Sequence, residues 1–216
     1  MSLNKKLGLL QENVLASLPE DVRDLLIEEN RKLFSAFMEE RALKEGSQVP
    51  DVFFRDKALQ PVYLKEILKN HHVVLSFYRG TWCPYCNLEL QALSRINGEI
   101  EEKGARLISV SPETYKIAKE SIVRNGITIP IFTDLANKAA SEFGLVFSLP
   151  RKYREIYKML NIHLNRLNDD DSWSLPMPAT FIISKEGVIT STFVNADYTK
   201  RMEPDDILEK LDRLNA

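Results

Sequence analysis

The sequence predicts an α/β protein with a three-layer architecture, a central mixed sheet with helices on both faces, preceded by a helical extension. From Asp51 onward, short strand-like apolar runs alternate with helical patterns, which implies helices packed on the faces of a sheet. The run from Val73 to Phe77 is apolar except for one serine, which is typical of a buried central strand. Before residue 46 the apolar residues follow only helical spacing. We therefore expect a helical extension at residues 1–46 and an α/β domain at residues 47–216.

The composition argues against nucleic-acid and membrane partners. The 216 residues are 28% charged and 44% hydrophobic, and the net charge is −2 with both signs interspersed. No strong attraction to nucleic acid or anionic lipid is expected from such a surface. No apolar run approaches the roughly 20 residues of a membrane span. Because the N-terminus lacks the apolar core of a signal peptide, we expect a cytoplasmic location.

The N-terminal extension is predicted to form two helices. The first has apolar residues spaced by four and three positions and ends near Ser17: Leu3, Leu7, Leu10, Val14 and Leu18. The second would run from about Glu20 to Lys44 with one apolar side: Val22, Leu25, Leu26, Leu33, Phe34 and Phe37. This pair of helices either packs on its own domain, which we favour, or forms a homodimer contact.

The α/β domain is predicted to contain seven strand-like runs and six helical segments in alternation. The strands are expected at residues 52–54, 62–64, 73–77, 105–110, 129–132, 175–184 and 188–194. The helices are expected at residues 65–70, from the C-x-x-C to Ile100, at 112–125, 133–143 and 153–163, and from Pro204 onward. Residues 144–173 show the weakest pattern, and their acidic run at 169–171 lacks the other ligands of a calcium loop.

Cys83 and Cys86, the only cysteines in the chain, stand in a C-x-x-C between the central strand and the following helix. The unpaired N–H groups and positive dipole end of a helix N-terminus favour an anion at this position. A thiolate is such an anion, so the pKa of one thiol should fall below its free value of about 8.5. Pro84 is compatible with the first helical turn. The pair is therefore predicted to be a redox dithiol, and no cofactor is expected.

Three other interpretations of the cysteine pair remain open. A closed zinc site needs four ligands, and only His71, His72 and His163 could complete one. Two thiolates could instead hold Cu(I), or one zinc shared between chains, in a non-enzymatic binding module. The cysteines could also be inert buried residues. The strand–turn–helix context favours the redox dithiol, with no metal.

Three stretches carry a resemblance to a known family: Phe77 to Cys86, Met177 to Ile183, and Phe193 to Pro204. Together they resemble the peroxiredoxin-like branch of the thioredoxin-fold superfamily, the relatives of alkyl hydroperoxide reductase and thiol-specific antioxidant. The resemblance covers about residues 47–214 and implies a thioredoxin fold. It also implies a thiol-dependent antioxidant oxidoreductase that cycles between a dithiol and a disulfide.

The sequence departs from the peroxiredoxin pattern at two places. Counted along the family motif, Cys86 takes the peroxide-attacking position, Cys83 replaces a threonine and Arg79 replaces a proline. In the later strand, Pro178 replaces the family's arginine and resembles the cis-proline of thioredoxins, beside which substrate backbone pairs with the preceding residue. These departures weaken the peroxidase interpretation and strengthen the disulfide-exchange interpretation.

Two catalytic schemes follow from the resemblance. In the exchange scheme, Cys83 attacks a substrate disulfide and Cys86 resolves the mixed disulfide. In the peroxidase scheme, Cys86 is oxidised to a sulfenic acid and Cys83 condenses with it. Met177 and Pro178 would shape the substrate groove, Trp82 would shield one side of it, and Arg79 would add positive potential. An external thiol donor of the thioredoxin or glutathione type would then reduce the disulfide.

Overall fold

A mixed seven-stranded sheet lies at the centre of the computed structural model, which describes residues 1–36 and 38–215. The strands of the described chain are β1 (Phe53–Arg55), β2 (Pro61–Tyr63), β3 (His72–Phe77), β4 (Ala105–Ser111), β5 (Ile131–Thr133), β6 (Val146–Ser148), β7 (Ser174–Pro176), β8 (Ala179–Ile183) and β9 (Ile189–Val194). The sheet has the order β2-β1-β5-β4-β3-β8-β9, while β6 and β7 form a separate antiparallel pair. β3 runs parallel to β4 and antiparallel to β8, so the sheet is mixed as predicted.

Helices cover both faces of this sheet. They are α1 (Leu3–Ser17), α2 (Glu20–Phe34), α3 (Leu64–Leu68), α4 (Pro84–Glu102), α5 (Tyr115–Arg124), α6 (Lys138–Glu142), α7 (Arg151–Met159), α8 (Leu164–Asn168) and α9 (Pro204–Asn215). Two short 3-10 helices occupy Met38–Arg41 and Leu135–Asn137. Within the described residues, no helix combines the length and the apolar character needed to cross a bilayer.

Strand β3 divides the core into two layers because alternate side chains of a strand point to opposite faces. Val73, Leu75 and Phe77 belong to one buried cluster, together with residues of α2, α6 and α7. Val74 and the following Tyr78 belong to the other cluster, with residues of α1, α4 and α9. The two cysteines lie in this second layer.

The N-terminal helices pack on the α/β domain. Helix α1 has the predicted extent and contacts α4, while α2 contacts α7. The prediction that the second helix continues to Lys44 is wrong, because α2 ends at Phe34. The chain then crosses to α6, where Leu43 N donates to Phe143 O at 3.1 Å, and a continued helix would not reach that contact. The predicted apolar position Phe37 lies outside the described residues.

Two predicted elements are broken into shorter ones. The helix predicted at 133–143 begins only at Lys138, because the Asp134 carboxylate accepts hydrogen bonds from Ala139 N and Ala140 N and sets its first turn. The strand predicted at 175–184 is interrupted at residues 177–178, between β7 and β8. Its first part pairs with β6, a strand that the sequence did not predict.

Candidate active site

The two cysteines stand at the strand-to-helix junction that the sequence predicted. β3 ends at Phe77, and Cys83 is the N-cap of α4, with Pro84 as its first residue. Both cysteines are free thiols and both are fully buried. The loop between them and β3 requires Gly80, whose φ is +145°, because any Cβ there would overlap the Trp82 indole.

The two thiols have opposite pKa shifts. Burial raises the pKa of Cys83, but a hydrogen bond from the Cys86 thiol and the charges of Arg79 and Arg201 outweigh it and lower that pKa to about 5. Burial and the hydrogen bond that its thiol donates to Cys83 raise the pKa of Cys86 well above its usual range. At neutral pH the pair is therefore a Cys83 thiolate beside a Cys86 thiol.

Arg79 is buried beside the Cys83 thiolate. Its Nη2 donates to Tyr157 Oη at 2.9 Å. Its guanidinium carbon lies 4.0 Å from the centroid of the Tyr198 ring and 4.9 Å from that of Trp82. Two aromatic faces and one phenol thus hold the cation in place, by contacts of the cation–π type.

A second buried arginine contacts Cys86, and sequence reasoning did not identify it as a site residue. Arg201 Nη2 lies 3.4 Å from Cys86 Sγ, and its Nε lies 2.5 Å from Glu89 Oε2. Burial raises the pKa of Glu89 to about 7, although Arg201 opposes the shift. Arg201 belongs to the third stretch of the family resemblance, which was a signal for it, but nothing in that stretch indicates a contact with a cysteine.

Glu113 holds the loop that precedes Cys83. Its carboxylate accepts hydrogen bonds from Thr81 N at 2.6 Å and from Thr81 Oγ1 at 2.8 Å. Asn87 Nδ2 donates to Thr81 O at 2.8 Å, so helix α4 also holds the loop. Burial raises the pKa of Glu113, although the two bonds from Thr81 oppose the shift.

Helices α2 and α7 and one loop residue form a layer over Arg79. We call this layer the aromatic cover and define it as Asn30, Phe34, Tyr153, Tyr157 and Tyr198. Asn30 Nδ2 donates to Tyr198 Oη at 3.3 Å, and Asn30 Oδ1 accepts from the Tyr153 hydroxyl. The Phe34 and Tyr198 rings meet edge to face, with 5.8 Å between centroids. The N-terminal extension therefore contributes side chains to the surroundings of the dithiol.

The predicted site residues fall into two groups. The structure brings Arg79, Trp82, Cys83 and Cys86 together. Trp82 is half-buried and meets Tyr157 edge to face, with 5.5 Å between centroids.

Met177 and Pro178 lie just before Ala179, which pairs with Phe77 at the end of β3 where the dithiol loop begins. The prediction of a cis bond at Pro178 is wrong, because the described residues contain no cis peptide bond. The Met177 side chain is fully buried, and its N–H donates to Leu145 O at 2.9 Å. That N–H is therefore engaged within the protein, which leaves it unavailable to a substrate backbone in this conformation.

The histidines lie in different surroundings from the dithiol. His72 Nδ1 accepts a hydrogen bond from Lys185 N at 3.2 Å, and His163 Nε2 contacts Asn161 Oδ1 at 2.9 Å. Across residues 1–36 and 38–215, no three His, Cys, Asp or Glu side chains are grouped so that they could hold a metal ion.

Comparisons with known proteins agree with this architecture. A model of the AhpC/TSA family matches residues 46–192. The thiol-disulfide oxidoreductase ResA of Bacillus anthracis is 21% identical over 168 residues, covering 77% of this chain and 79% of its own. The ResA of Geobacillus kaustophilus is 24% identical over 181 residues, covering 77% and 81%.

Two solved structures show the same fold. The peroxidoxin BcpB of Mycobacterium tuberculosis superposes with a TM-score of 0.62 at 19% identity, covering 81% of this chain and 99% of its own. A peroxiredoxin-like protein of Aquifex aeolicus gives 0.63 at 18% identity, covering 80% and 88%. The predicted thioredoxin-type fold, with a central mixed sheet between helices and an N-terminal helical segment, is confirmed.

Proposed function

The chain belongs to the AhpC/TSA family and is a thiol-dependent oxidoreductase, and on that premise we propose that Cys83 is its attacking thiolate and Cys86 its resolving thiol. The observation that carries this proposal is the contrast between two neighbouring sulfurs, since the pKa of Cys83 is lowered to about 5 and that of Cys86 is raised. Arg79 and the helix N-terminus favour the anion at Cys83, and the thiolate is the nucleophilic form of cysteine.

With a disulfide substrate, the Cys83 thiolate attacks one sulfur and the other sulfur leaves as a thiolate. Cys86 then loses its proton and attacks Cys83 of the mixed disulfide. The second substrate thiolate leaves and takes that proton, and a Cys83–Cys86 disulfide remains. The enzyme has lost two electrons and the substrate disulfide has gained them.

With a hydroperoxide, the Cys83 sulfur takes the terminal oxygen and its hydrogen, and the alkoxide leaves and takes a proton from solvent. The resulting sulfenic acid condenses with the Cys86 thiol and releases water, which gives the same disulfide. We propose that peroxides or disulfides are the substrates and that an external thiol donor, of the thioredoxin or glutathione type, restores the dithiol. The names of the relatives, a thiol-disulfide oxidoreductase and peroxidoxin-type proteins, support both substrate classes.

A second candidate reverses the roles of the cysteines for peroxides. The contact of Arg201 Nη2 with Cys86 Sγ at 3.4 Å favours it, because a fixed cation beside Cys86 would stabilise that sulfur as a thiolate during attack. Trp82, Met177 and Pro178 remain proposed substrate-groove residues in both schemes. The cytoplasmic location and the division of the chain at residues 46 and 47 remain proposals as well.

Trapping of mixed disulfides tests the assignment of the attacking cysteine. Cys86→Ser is mixed with an aromatic disulfide that releases a coloured thiol, and the covalent adduct is measured by mass spectrometry. We expect Cys86→Ser to form a stable adduct and to release one thiol per chain. The matched variant Cys83→Ser should form adduct at least tenfold more slowly, because its remaining thiol is protonated. The opposite ranking would contradict the proposal.

Hydrogen peroxide distinguishes the two candidates for the peroxide reaction. If Cys83 attacks, its rapid oxidation to sulfenic acid should persist in Cys86→Ser and be lost in Cys83→Ser, as followed by tryptophan fluorescence and by mass. Rapid oxidation that survives in Cys83→Ser would instead assign peroxide attack to Cys86.

A further inference from the structure

Arg79 is a buried cation on which the charge of Cys83 acts. The residue is only 5% exposed, and its Nε has no hydrogen-bond partner among the described residues. Titratable groups that act on it include Tyr157, Cys83, Tyr198 and Cys86, together with Tyr85 and Tyr153. None of the ion pairs in the described part of the chain includes Arg79.

The other carboxylates of the site are engaged elsewhere. Glu89 pairs with Arg201, and Glu113 accepts both of its hydrogen bonds from Thr81. The phenol of Tyr157 stays neutral at physiological pH, since burial raises its pKa. In the reduced protein the negative charge that balances Arg79 is therefore the Cys83 thiolate.

Oxidation removes this charge without removing the cation. When the dithiol reacts with a substrate disulfide, the Cys83 thiolate and Cys86 thiol together lose two electrons and one proton. The substrate leaves as one thiol and one thiolate, so the negative charge departs with the product. Arg79 cannot respond by losing its own proton, because a guanidinium stays protonated in proteins. A buried cation without a partner is strongly disfavoured.

Movement of the aromatic cover would bring Arg79 into contact with water. Tyr157 of α7 and Tyr198 contact the guanidinium directly, and Asn30 of α2 joins Tyr198 to Tyr153 of α7. We propose that formation of the Cys83–Cys86 disulfide loosens α2 and α7 from Arg79. The loosened N-terminal extension then exposes the oxidised site to the thiol donor. This inference rests on the proposed dithiol–disulfide cycle.

Amide hydrogen exchange of the full chain, followed by mass spectrometry, tests the inference. Peptides from α2 are compared in the reduced protein and after oxidation with diamide, which requires two thiols but no turnover. We expect exchange in α2 to be at least tenfold faster in the oxidised protein, while β3 and β4 change less than twofold. Equal exchange of α2 in the two states would overturn the inference.

Two cysteine variants separate the loss of charge from the disulfide itself. Neither variant can form the internal disulfide. Cys83→Ser lacks the thiolate and should show the fast α2 exchange of the oxidised protein, whereas Cys86→Ser keeps a thiolate beside Arg79 and should stay slow. Equal exchange in the two variants would contradict the role of the charge. If diamide fails to remove two hydrogens from the wild-type mass, the proposed dithiol cycle fails. The comparison of Cys83→Ser with Cys86→Ser still decides whether loss of the thiolate beside Arg79 loosens α2.

Removal of the cation gives an independent check. Arg79→Met removes the buried cation beneath the aromatic cover, so the difference in α2 exchange between the redox states should fall below twofold. The matched control is Arg151→Met, which removes an exposed arginine of α7 and should keep the full tenfold difference. A difference that persists in Arg79→Met would show that Arg79 does not drive the opening.

Discussion

At the scale of single residues, the two thiols differ because one donates a hydrogen bond to the other. The Cys86 thiol is the donor and Cys83 the acceptor, and the two arginines then act on the anion that the acceptor becomes. Cys83 takes part of its stabilisation from its N-cap position, whereas Cys86 is the third residue of the helix. The same C-x-x-C with both arginines removed would therefore be a much weaker nucleophile at neutral pH.

The contribution of Arg79 to the Cys83 thiolate can be measured directly. Arg79→Met should raise the pKa of Cys83 by about 1 to 2 pH units, because a neighbouring cation lowers the pKa of an acid by a comparable amount. The ultraviolet absorbance of the thiolate, recorded as a function of pH, gives the value. Arg151→Met is the control and should titrate like the wild-type protein. A Cys83 pKa that stays near 5 in Arg79→Met would show that the hydrogen bond from Cys86 suffices.

The sign of the pH dependence follows from the lowered pKa. Cys83 binds its proton only below about pH 5 in the folded protein, whereas an ordinary thiol does so below about 9.0. Its stabilising effect on the fold is complete above pH 9.0 and is lost as the pH falls towards 5. The nucleophilic thiolate is likewise present at neutral pH and disappears on acidification below about 5.

At the scale of secondary-structure elements, a glycine decides how the N-terminal extension joins the domain. Gly144 has a φ of +72°, and a Cβ there would overlap Arg41 O. The segment after α2 thus runs directly against the turn that follows α6, where Leu43 N donates to Phe143 O at 3.1 Å. This close approach explains why the helix predicted to reach Lys44 ends early.

Gly144→Ala and Gly104→Ala separate two effects of adding a Cβ to a glycine with positive φ, namely backbone strain and collision with a neighbouring atom. Both glycines have φ near +72°, at +72° and +73°, but a Cβ at Gly104 meets nothing within 4 Å. Both substitutions carry the backbone cost of about 1 to 2 kcal/mol for a left-handed conformation. Gly144→Ala should lose about 2 kcal/mol more of the unfolding free energy, because Arg41 must also move. Urea unfolding gives both values, and equal losses would show that the segment at Arg41 moves away from the new Cβ at little cost.

At the scale of the whole molecule, the N-terminal extension shares the core of the α/β domain. Leu3 and Leu7 belong to the buried cluster that contains both cysteines. The Glu203 carboxylate, just before α9, accepts hydrogen bonds from Leu3 N and Asn4 N, each at 2.8 Å. The first turn of the chain is thus attached to its last helix, on the face of the sheet that carries the dithiol.

Leu7→Ala tests how much this shared core contributes to stability. The Leu7 residue is 1% exposed, so its truncation should lower the unfolding free energy by about 2 to 4 kcal/mol. Leu9 on the same helix is 45% exposed, and Leu9→Ala should change stability by less than about 0.5 kcal/mol. Two equal and small losses in urea unfolding would mean that α1 detaches before the domain unfolds.

Much of the fold could be predicted because it follows from local patterns. The run from Val73 to Phe77 is apolar enough to be buried on both faces, and it forms the central strand β3. The β6–β7 pair could not be predicted, because its strands have three residues each and 25 residues lie between Ser148 and Ser174. Short strands acquire their structure from the partner they meet, which a local pattern does not contain.

The sequence by itself determined the family resemblance, the α/β class and the position of the dithiol at the start of a helix. These depend on residues that are close together along the chain. Only the tertiary structure revealed the cations that act on the two sulfurs, because Arg201 is 115 residues from Cys86 and yet lies 3.4 Å from its Sγ. It also decided that α2 covers the site, through Asn30 and the Tyr198 hydroxyl 168 residues away. Burial and Coulomb interactions act through space, so distances along the chain do not reveal them.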